Sequence, residues 1–340
     1  MSSFTNPRLP KGSTVLVTGV TGYIGAWVAQ EALAIGYKVR GGVRSIEKAA
    51  WLQSHFDKSF PGQYSQVELA DVSDIDAFKA AIKGIAGVIH VAANLQLSPD
   101  PAPYIPDTIR DVLAYLKAAD AEESIKAFVW TSSSMAAVQW GATGTISKDA
   151  YNEGFIKLAW DPAFEHPAKM FMVYAAAKAQ AEQAAFKFVE EEKPHFTLNI
   201  VLPSCNFGPS LVFEKQGFAS TGGWPKALYD GDLSLIGNVP PQYFLDVRDA
   251  GKLHVAALVD PETSNQRLWG FAEKYSWNSV LAYFRKVWPD KKFIDDIEGL
   301  GWDGTTVPTE SALKALKNVY GQDGWTDLET ALKDSGFDKA

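Results

Sequence analysis

Between Thr18 and Ala26 the chain reads Gly19-Val-Thr-Gly22-Tyr-Ile-Gly25, with glycines at i, i+3 and i+6. The residues before it, Ser13-Thr-Val-Leu-Val-Thr18, are apolar and β-branched and read as a short buried strand. The residues after it, Ala26 to Ile35, have helical periodicity and stop at Gly36. A strand, a glycine loop and a helix in this order form a variant of the dinucleotide loop. Gly19 would serve the turn, Gly22 the close approach of backbone to a pyrophosphate, and Gly25 the packing of helix on strand. The helix N-terminus then offers unpaired N–H groups to phosphate. Thr21, Tyr23 and Ile24 complete the candidate contacts of this loop. Incidental glycines in an ordinary strand–turn–helix are the alternative, and the position at the start of an alternating pattern argues against it.

Strand-like and helix-like segments alternate through the first 205 residues, which predicts an α/β fold with a doubly wound parallel sheet of Rossmann type. Strands are expected near 13–18, 37–43, 65–69, 86–91, 126–131 and 196–202. Helices are expected near 23–35, 46–56, 74–82, 105–121 and 171–192. Residues 1–205 form the expected cofactor domain, and 206–340 a smaller substrate region or lid with helices near 248–259, 277–287, 309–319 and 325–334. The boundary is soft, and a strand near 243–247 is expected to return to the main domain. The polar and aromatic insertion 139–168 is expected to join the lid.

Tyr174-Ala-Ala-Ala-Lys178 places a phenol and an ammonium one helical turn apart. A phenol titrates near 10, so alone it is a poor acid or base at neutral pH, and a nearby cation favours the phenolate. The spacing suits a tunable proton donor, although Tyr and Lys also share solvated helix faces. A run of hydroxyls ends another expected strand, in Ala127-Phe-Val-Trp-Thr-Ser132-Ser133-Ser134-Met.

Together the glycine spacing, Tyr174-x-x-x-Lys178 and the serine run resemble the extended branch of the short-chain dehydrogenase/reductase superfamily. Within it the chain looks most like fungal NADPH-dependent aldehyde and ketone reductases, relatives of plant dihydroflavonol and cinnamoyl-CoA reductases. The likeness runs from about Leu9 to the C-terminus and includes Gly36-Tyr-Lys-Val-Arg-Gly, Lys193-Pro-His-Phe-Thr-Leu-Asn199 and Pro240-Pro-Gln-Tyr. It implies hydride transfer from a nicotinamide to a carbonyl carbon, with Tyr174 giving the proton. Lys178 would hold the nicotinamide ribose and depress the Tyr174 pKa. Ser133 would bond the substrate carbonyl, with Ser134 as the runner-up. Strand alternation puts Ser132 and Ser134 on the side opposite Ser133 if the strand persists.

The cofactor expected is NADPH/NADP+. An NAD-specific loop carries an acid about 20 residues beyond the glycines, whereas an Arg accommodates a 2′-phosphate. Here the second strand ends Val39-Arg40-Gly41-Gly42-Val43-Arg44, with no acid at the strand end, followed by Lys48. Arg44 is the expected bidentate clamp and Lys48 an added point charge, while alternation leaves Arg40 the weakest candidate. By resemblance, Asp71 and Val72 lie on the adenine, Ala92 and Ala93 leave room for the adenosine ribose, and Pro203 and Ser204 hold the nicotinamide carboxamide. An exposed Asp71 capping the following helix is the alternative. The resemblance also nominates Leu97, Met135, Gln139, Trp224, Gln242 and Tyr243 for the substrate pocket. Apolar walls discriminate weakly, which predicts broad use of small-molecule aldehydes, ketones and keto esters.

Other classes are argued against. A net charge of −8 disfavours nucleic acid and anionic membrane surfaces as partners. No apolar run approaches the roughly 20 residues that span a bilayer, and no signal peptide is evident, so a cytoplasmic location is expected. Cys205 is the single cysteine, so no internal disulfide forms, and its setting reads as packing. The five histidines show no metal-ligand spacing, and no metal is expected. A nucleotide-sugar epimerase or dehydratase on the same fold is disfavoured by Met135-Ala-Ala and the basic cluster. A non-catalytic NADP(H) sensor would keep the glycine loop and lose the Tyr–Lys pair. The sequence is silent on oligomeric state.

Overall fold

A computed structural model of the protein describes residues 6–71, 73–93 and 97–339. The strands are β1 Thr14–Thr18, β2 Lys38–Val43, β3 Tyr64–Glu68, β4 Gly87–His90, β5 Ala127–Thr131, β6 Thr143–Thr145, β7 Thr197–Pro203, β8 Cys205–Phe207, β9 Gln242–Asp246, β10 Arg267–Gly270, β11 Glu273–Tyr275 and β12 Gly304–Thr306. The helices are α1 Tyr23–Ala34, α2 Ile46–Ser59, α3 Ile75–Ala81, α4 Pro101–Asp120, α5 Glu153–Trp160, α6 Lys169–Glu192, α7 Phe213–Gln216, α8 Gly223–Tyr229, α9 Val247–Val259, α10 Trp277–Val287, α11 Glu310–Tyr320 and α12 Leu328–Ser335.

Seven strands form the main sheet in the order β10-β7-β5-β4-β1-β2-β3. Every neighbouring pair is parallel. Both faces are covered, and alternation along each strand divides the core. On β5, Ala127 and Val129 join the cluster under α1, α9 and α11, whereas Phe128 and Trp130 join the cluster under α4 and α6. Such fully buried aliphatic side chains each contribute about 1.5–3 kcal/mol. The chain reverses direction across the sheet between β1 and β4, where an open α/β sheet leaves a crevice beyond its strand ends.

Helix starts follow their capping chemistry. The Asp100 carboxylate accepts from the Ala102 N–H at 3.0 Å, and Pro101 occupies the first turn, so α4 begins about a turn earlier than expected from periodicity. The Asp74 carboxylate caps α3 by accepting from Asp76 and Ala77, so Asp71 is not the cap. Helix α6 is rich in alanine, the best helix former, and ends where Lys193 turns left-handed (φ 50°) before Pro194.

Two expectations are corrected. The strand at 242–246 does not return to the main sheet: β9 lies in a separate sheet of order β11-β9-β8. The strand that does return is β10, which pairs with β7 from Arg267↔Ile200 to Gly270↔Pro203. Residues beyond 205 therefore supply the seventh strand of the main sheet, as well as α9 on its face. The insertion meets the C-terminal region through β6, which pairs in parallel with β12.

Candidate active site

The glycine loop joins β1 to α1 as a tight turn. Gly19 takes a left-handed φ of 67°. A Cβ on Gly25 would fall 2.2 Å from the Gly19 carbonyl oxygen, so only glycine lets α1 approach the loop this closely. The C-terminal half braces the loop: Gln216 Nε2 donates to the Thr21 and Gly22 carbonyls at 3.2 and 3.1 Å. The Tyr23 hydroxyl donates to Gly208 O at 2.6 Å, and Tyr23 is buried, so its side chain serves packing between the halves. Ile24 likewise packs on the core. What the loop offers outward is backbone N–H at the start of α1, with no acidic residue in the first turn.

At the end of β2, Arg44 and Lys48 are both exposed, and Ser45 caps α2 between them. Arg40 is turned away, donating to Ala81 O at 2.6 Å. Asp71 is exposed, and its Oδ1 accepts from the Ser73 N–H and hydroxyl, both at 2.8 Å, which lowers its pKa. Val72 lies outside the described residues. After β4, the Thr18 hydroxyl oxygen accepts from Val91 and Ala92, fixing the backbone of the small-residue segment.

The end of β5 docks on successive turns of α6. The Lys178 ammonium donates to Thr131 O at 2.9 Å. The Ser132 hydroxyl donates to the Glu182 carboxylate, and the Ser133 hydroxyl faces the Tyr174 phenol and favours its charged form. Alternation fails here because regular strand ends at Thr131, so Ser132 and Ser133 both reach α6. Ser134 instead begins a short 3₁₀ turn, capped by Ser133, whose Oγ accepts from Met135 N at 3.2 Å.

Burial governs the electrostatics. Lys178 lies 6.0 Å from the Tyr174 ring centroid and 4.7 Å from that of Trp130. Desolvation lowers its pKa to about 8, opposed by the Glu182 charge. Desolvation also raises Tyr174, opposed by its bond to Ser133. The expected depression of Tyr174 by Lys178 is not found: burial raises the phenol, and Ser133 rather than Lys178 opposes it. Glu182 is wholly buried and pairs with Arg267 at 2.6 Å. Burial raises its pKa, while Arg267, Ser132 and Lys178 favour the charged form. His90, pushed down to about 3 by burial, is neutral at physiological pH.

Two cavities lie near the end of β5, one lined by Tyr174 and the other by Ser134. The first is lined by Tyr174 and Lys178 together with Ala92 and Ala93, and by Tyr104, Thr108 and Asp111 of α4. The second, a narrow cleft, is lined by Ser134, Met135, Gln139, Ser204, Gln242 and Tyr243, with Phe271 and Asp303. Four of the six nominated pocket residues meet in this cleft. Trp224 does not: it packs with Trp277 in the C-terminal cluster. Leu97 lines neither cavity. Pro203 sits at the end of β7, and Ser204 binds Gly270 O at 3.0 Å through both its N–H and its hydroxyl.

Three residues escaped the sequence reading. Glu182 continues the Tyr174–Lys178 spacing by one more turn, a signal that was present. Gln216 and Asp303 lie in irregular sequence and had none. Among the described residues no group of acidic, His or Cys side chains is arranged to hold a metal, and no helix is long and apolar enough to cross a membrane.

The chain matches the NAD dependent epimerase/dehydratase family over residues 15–269. It is 38% identical over 338 residues to aldehyde reductase 2 of Sporidiobolus salmonicolor, covering 98% of each chain. It is 33% identical to the ketoreductase adrE of Penicillium rubens, again covering 98% of each. Its fold resembles Gre2 of Candida albicans in complex with NADPH, with a TM-score of 0.80, 23% identity, and coverage of 95% of this chain and 97% of that one.

Proposed function

The chain belongs to the NAD dependent epimerase/dehydratase family, and on that premise we propose that it is an NADPH-dependent reductase of aldehydes and ketones. The observation that carries this reading is the half-buried Tyr174 phenol, its pKa lowered by the Ser133 hydroxyl and with the Lys178 ammonium 6.0 Å from its ring centroid, at the carboxyl end of β5. The aldehyde reductase and ketoreductase relatives support it.

The residues present fit the cofactor. Gly19, Thr21, Gly22 and Gly25 with the start of α1 would hold the pyrophosphate, since nothing larger than glycine fits at 25. Arg44 and Lys48 would take the 2′-phosphate, Asp71 the adenine, and Ala92 and Ala93 the adenosine ribose. Lys178 would hold the nicotinamide ribose, and Pro203 and Ser204 the carboxamide. NADPH, when bound, supplies a hydride to the carbonyl carbon.

The chain's own groups do the remaining work. Ser133 donates to the carbonyl oxygen and orients it. Tyr174 passes its proton to the developing alkoxide, which leaves as the alcohol. The Lys178 ammonium stabilises the phenolate so formed, in a site dry enough to strengthen that interaction. Met135, Gln139, Gln242 and Tyr243 shape the cleft for the substrate body.

The test is cofactor oxidation, followed by loss of nicotinamide absorbance, with aryl ketones, keto esters and aldehydes. Consumption that requires both NADPH and a carbonyl supports the reading. Silence on that panel with turnover of a nucleotide sugar would replace it with epimerase or dehydratase chemistry.

A further inference from the structure

The narrow cleft holds an acidic side chain outside the Ser–Tyr–Lys machinery. Among the described residues, Asp303 brings the only acidic side chain to the narrow cleft, whose other polar groups are those of Ser134, Gln139, Trp140, Ser204, Gln242 and Tyr243, and no Lys or Arg lines it. Cations that recognise carboxylates are therefore missing where a keto acid would need one.

The carboxylate is held in place. Its Oδ1 accepts from the Thr305 N–H at 2.7 Å and from the Thr305 hydroxyl. Thr305 is fully buried in β12, which pairs with β6 of the insertion. The Tyr243 hydroxyl donates to Thr305 O at 3.0 Å, so the same residue anchors two walls of the cleft. Asp303 raises the pKa of the Tyr243 phenol, second only to burial, which places its charge beside this wall. The Lys274 ammonium sits 5.6 Å from the Tyr243 ring centroid and does not line the cleft.

Resting on the reductase reading, we propose that Asp303 is a specificity-determining residue that admits neutral and cationic carbonyl compounds and rejects anionic ones. Keto esters and amino ketones are then substrates, and the free keto acids of the same skeleton are poor ones. Like charges a few ångströms apart at a partly exposed site are costly, and the −8 net charge adds long-range repulsion of anions.

The experiment compares kcat/KM for an α-keto ester and its free α-keto acid, with NADPH, in the wild type and in Asp303→Asn. Asparagine keeps the acceptor for Thr305 and loses the charge. The wild type is expected to favour the ester, and the acid-to-ester ratio is expected to rise about tenfold in the variant. A second measurement needs only the wild type. Raising ionic strength from about 0.1 M to about 1 M shortens the screening length from about 10 Å to about 3 Å and is expected to narrow the preference. A wild type that turns over acid and ester equally, or a ratio unmoved by both the substitution and salt, overturns the proposal. Failure to turn over the ester or any other carbonyl would instead overturn the reductase reading.

Discussion

The Ser132 hydroxyl donates to the Glu182 carboxylate on α6, and the next residue, Ser133, turns its hydroxyl to Tyr174, two turns earlier on the same helix. Adjacent serines thus have different duties. Ser132 fastens the strand end to α6, Ser133 faces the phenol, and Ser134 lines the neighbouring cleft. Three similar hydroxyls in a row are separated by which turn of α6, if any, they meet.

The first prediction follows from that division. Ser133→Ala is expected to lower kcat by about 10²-fold or more, and Ser134→Ala by less than about tenfold. Tyr174→Phe should remove turnover by about 10²–10⁴-fold while calorimetry finds NADPH affinity nearly unchanged. The reverse ranking of the two serines would move the carbonyl contact to Ser134.

The second prediction concerns pH. Lys178 is held at about 8 by burial, so its ammonium, and with it the stabilisation of the Tyr174 phenolate, is lost as pH rises through about 8. Turnover should fall across that window. Glu182 raises the Lys178 pKa, so Glu182→Gln should move the alkaline limb to lower pH. Ser132→Ala, which leaves the Glu182–Arg267 pair in place, should leave the limb where it is. Profiles of kcat against pH for the three proteins check this, and an unmoved limb in Glu182→Gln would detach Glu182 from Lys178.

Much of this site was legible because its parts are local. A glycine loop between strand and helix, and a Tyr–Lys pair one turn apart, are written within nine residues or fewer. The six expected main-sheet strands read clearly, since buried parallel strands are short apolar runs. The strand β10 did not, because Arg267-Leu-Trp-Gly is four residues long and begins with a charge. That charge makes sense only beside Glu182, 85 residues earlier. Trp224 was ambiguous for the same reason: an aromatic residue fits a pocket or a core, and in the structure it packs from α8 against Trp277 of α10. Asp303 reaches its cleft through the pairing of β12 with β6, some 160 residues apart in sequence.

The third prediction tests a half-buried acid away from the site. Glu31 on α1 is raised to about 7 by burial, with Asp249 adding to the shift and Lys252 opposing it. The folded protein then holds a proton between about 4.5 and about 7 that the unfolded chain has released. The Glu31 contribution is present at low pH and is lost as pH rises through about 7. Glu31→Gln should therefore be more stable than the wild type by about 1–3 kcal/mol near pH 8, with the difference closing below about pH 5. Urea denaturation at the two pH values measures it. A variant equally stabilised, or destabilised, at both would show that the carboxyl is not the source.

The last prediction concerns the choice of nicotinamide cofactor. Arg44 and Lys48 stand exposed at the end of β2, and Arg44 has no hydrogen bond or ion pair within the protein among the described residues. Arg40, the third cation of this stretch, is committed to the carbonyls of Ala81 and Lys83. Two exposed cations beside the glycine loop, in a chain of net negative charge, match a 2′-phosphate. A phosphate gripped bidentately by Arg and approached by Lys gains charge-assisted bonds that a bare hydroxyl cannot make. Arg44→Glu should weaken NADPH by about 10²-fold and NADH by less than about threefold, and Lys48→Ala should cost NADPH about three- to tenfold. Titration of each variant with both cofactors checks the ranking. Because exposed charges are screened, the NADPH loss in Arg44→Glu should also shrink as salt rises. Equal weakening of the two cofactors would take Arg44 off the 2′-phosphate.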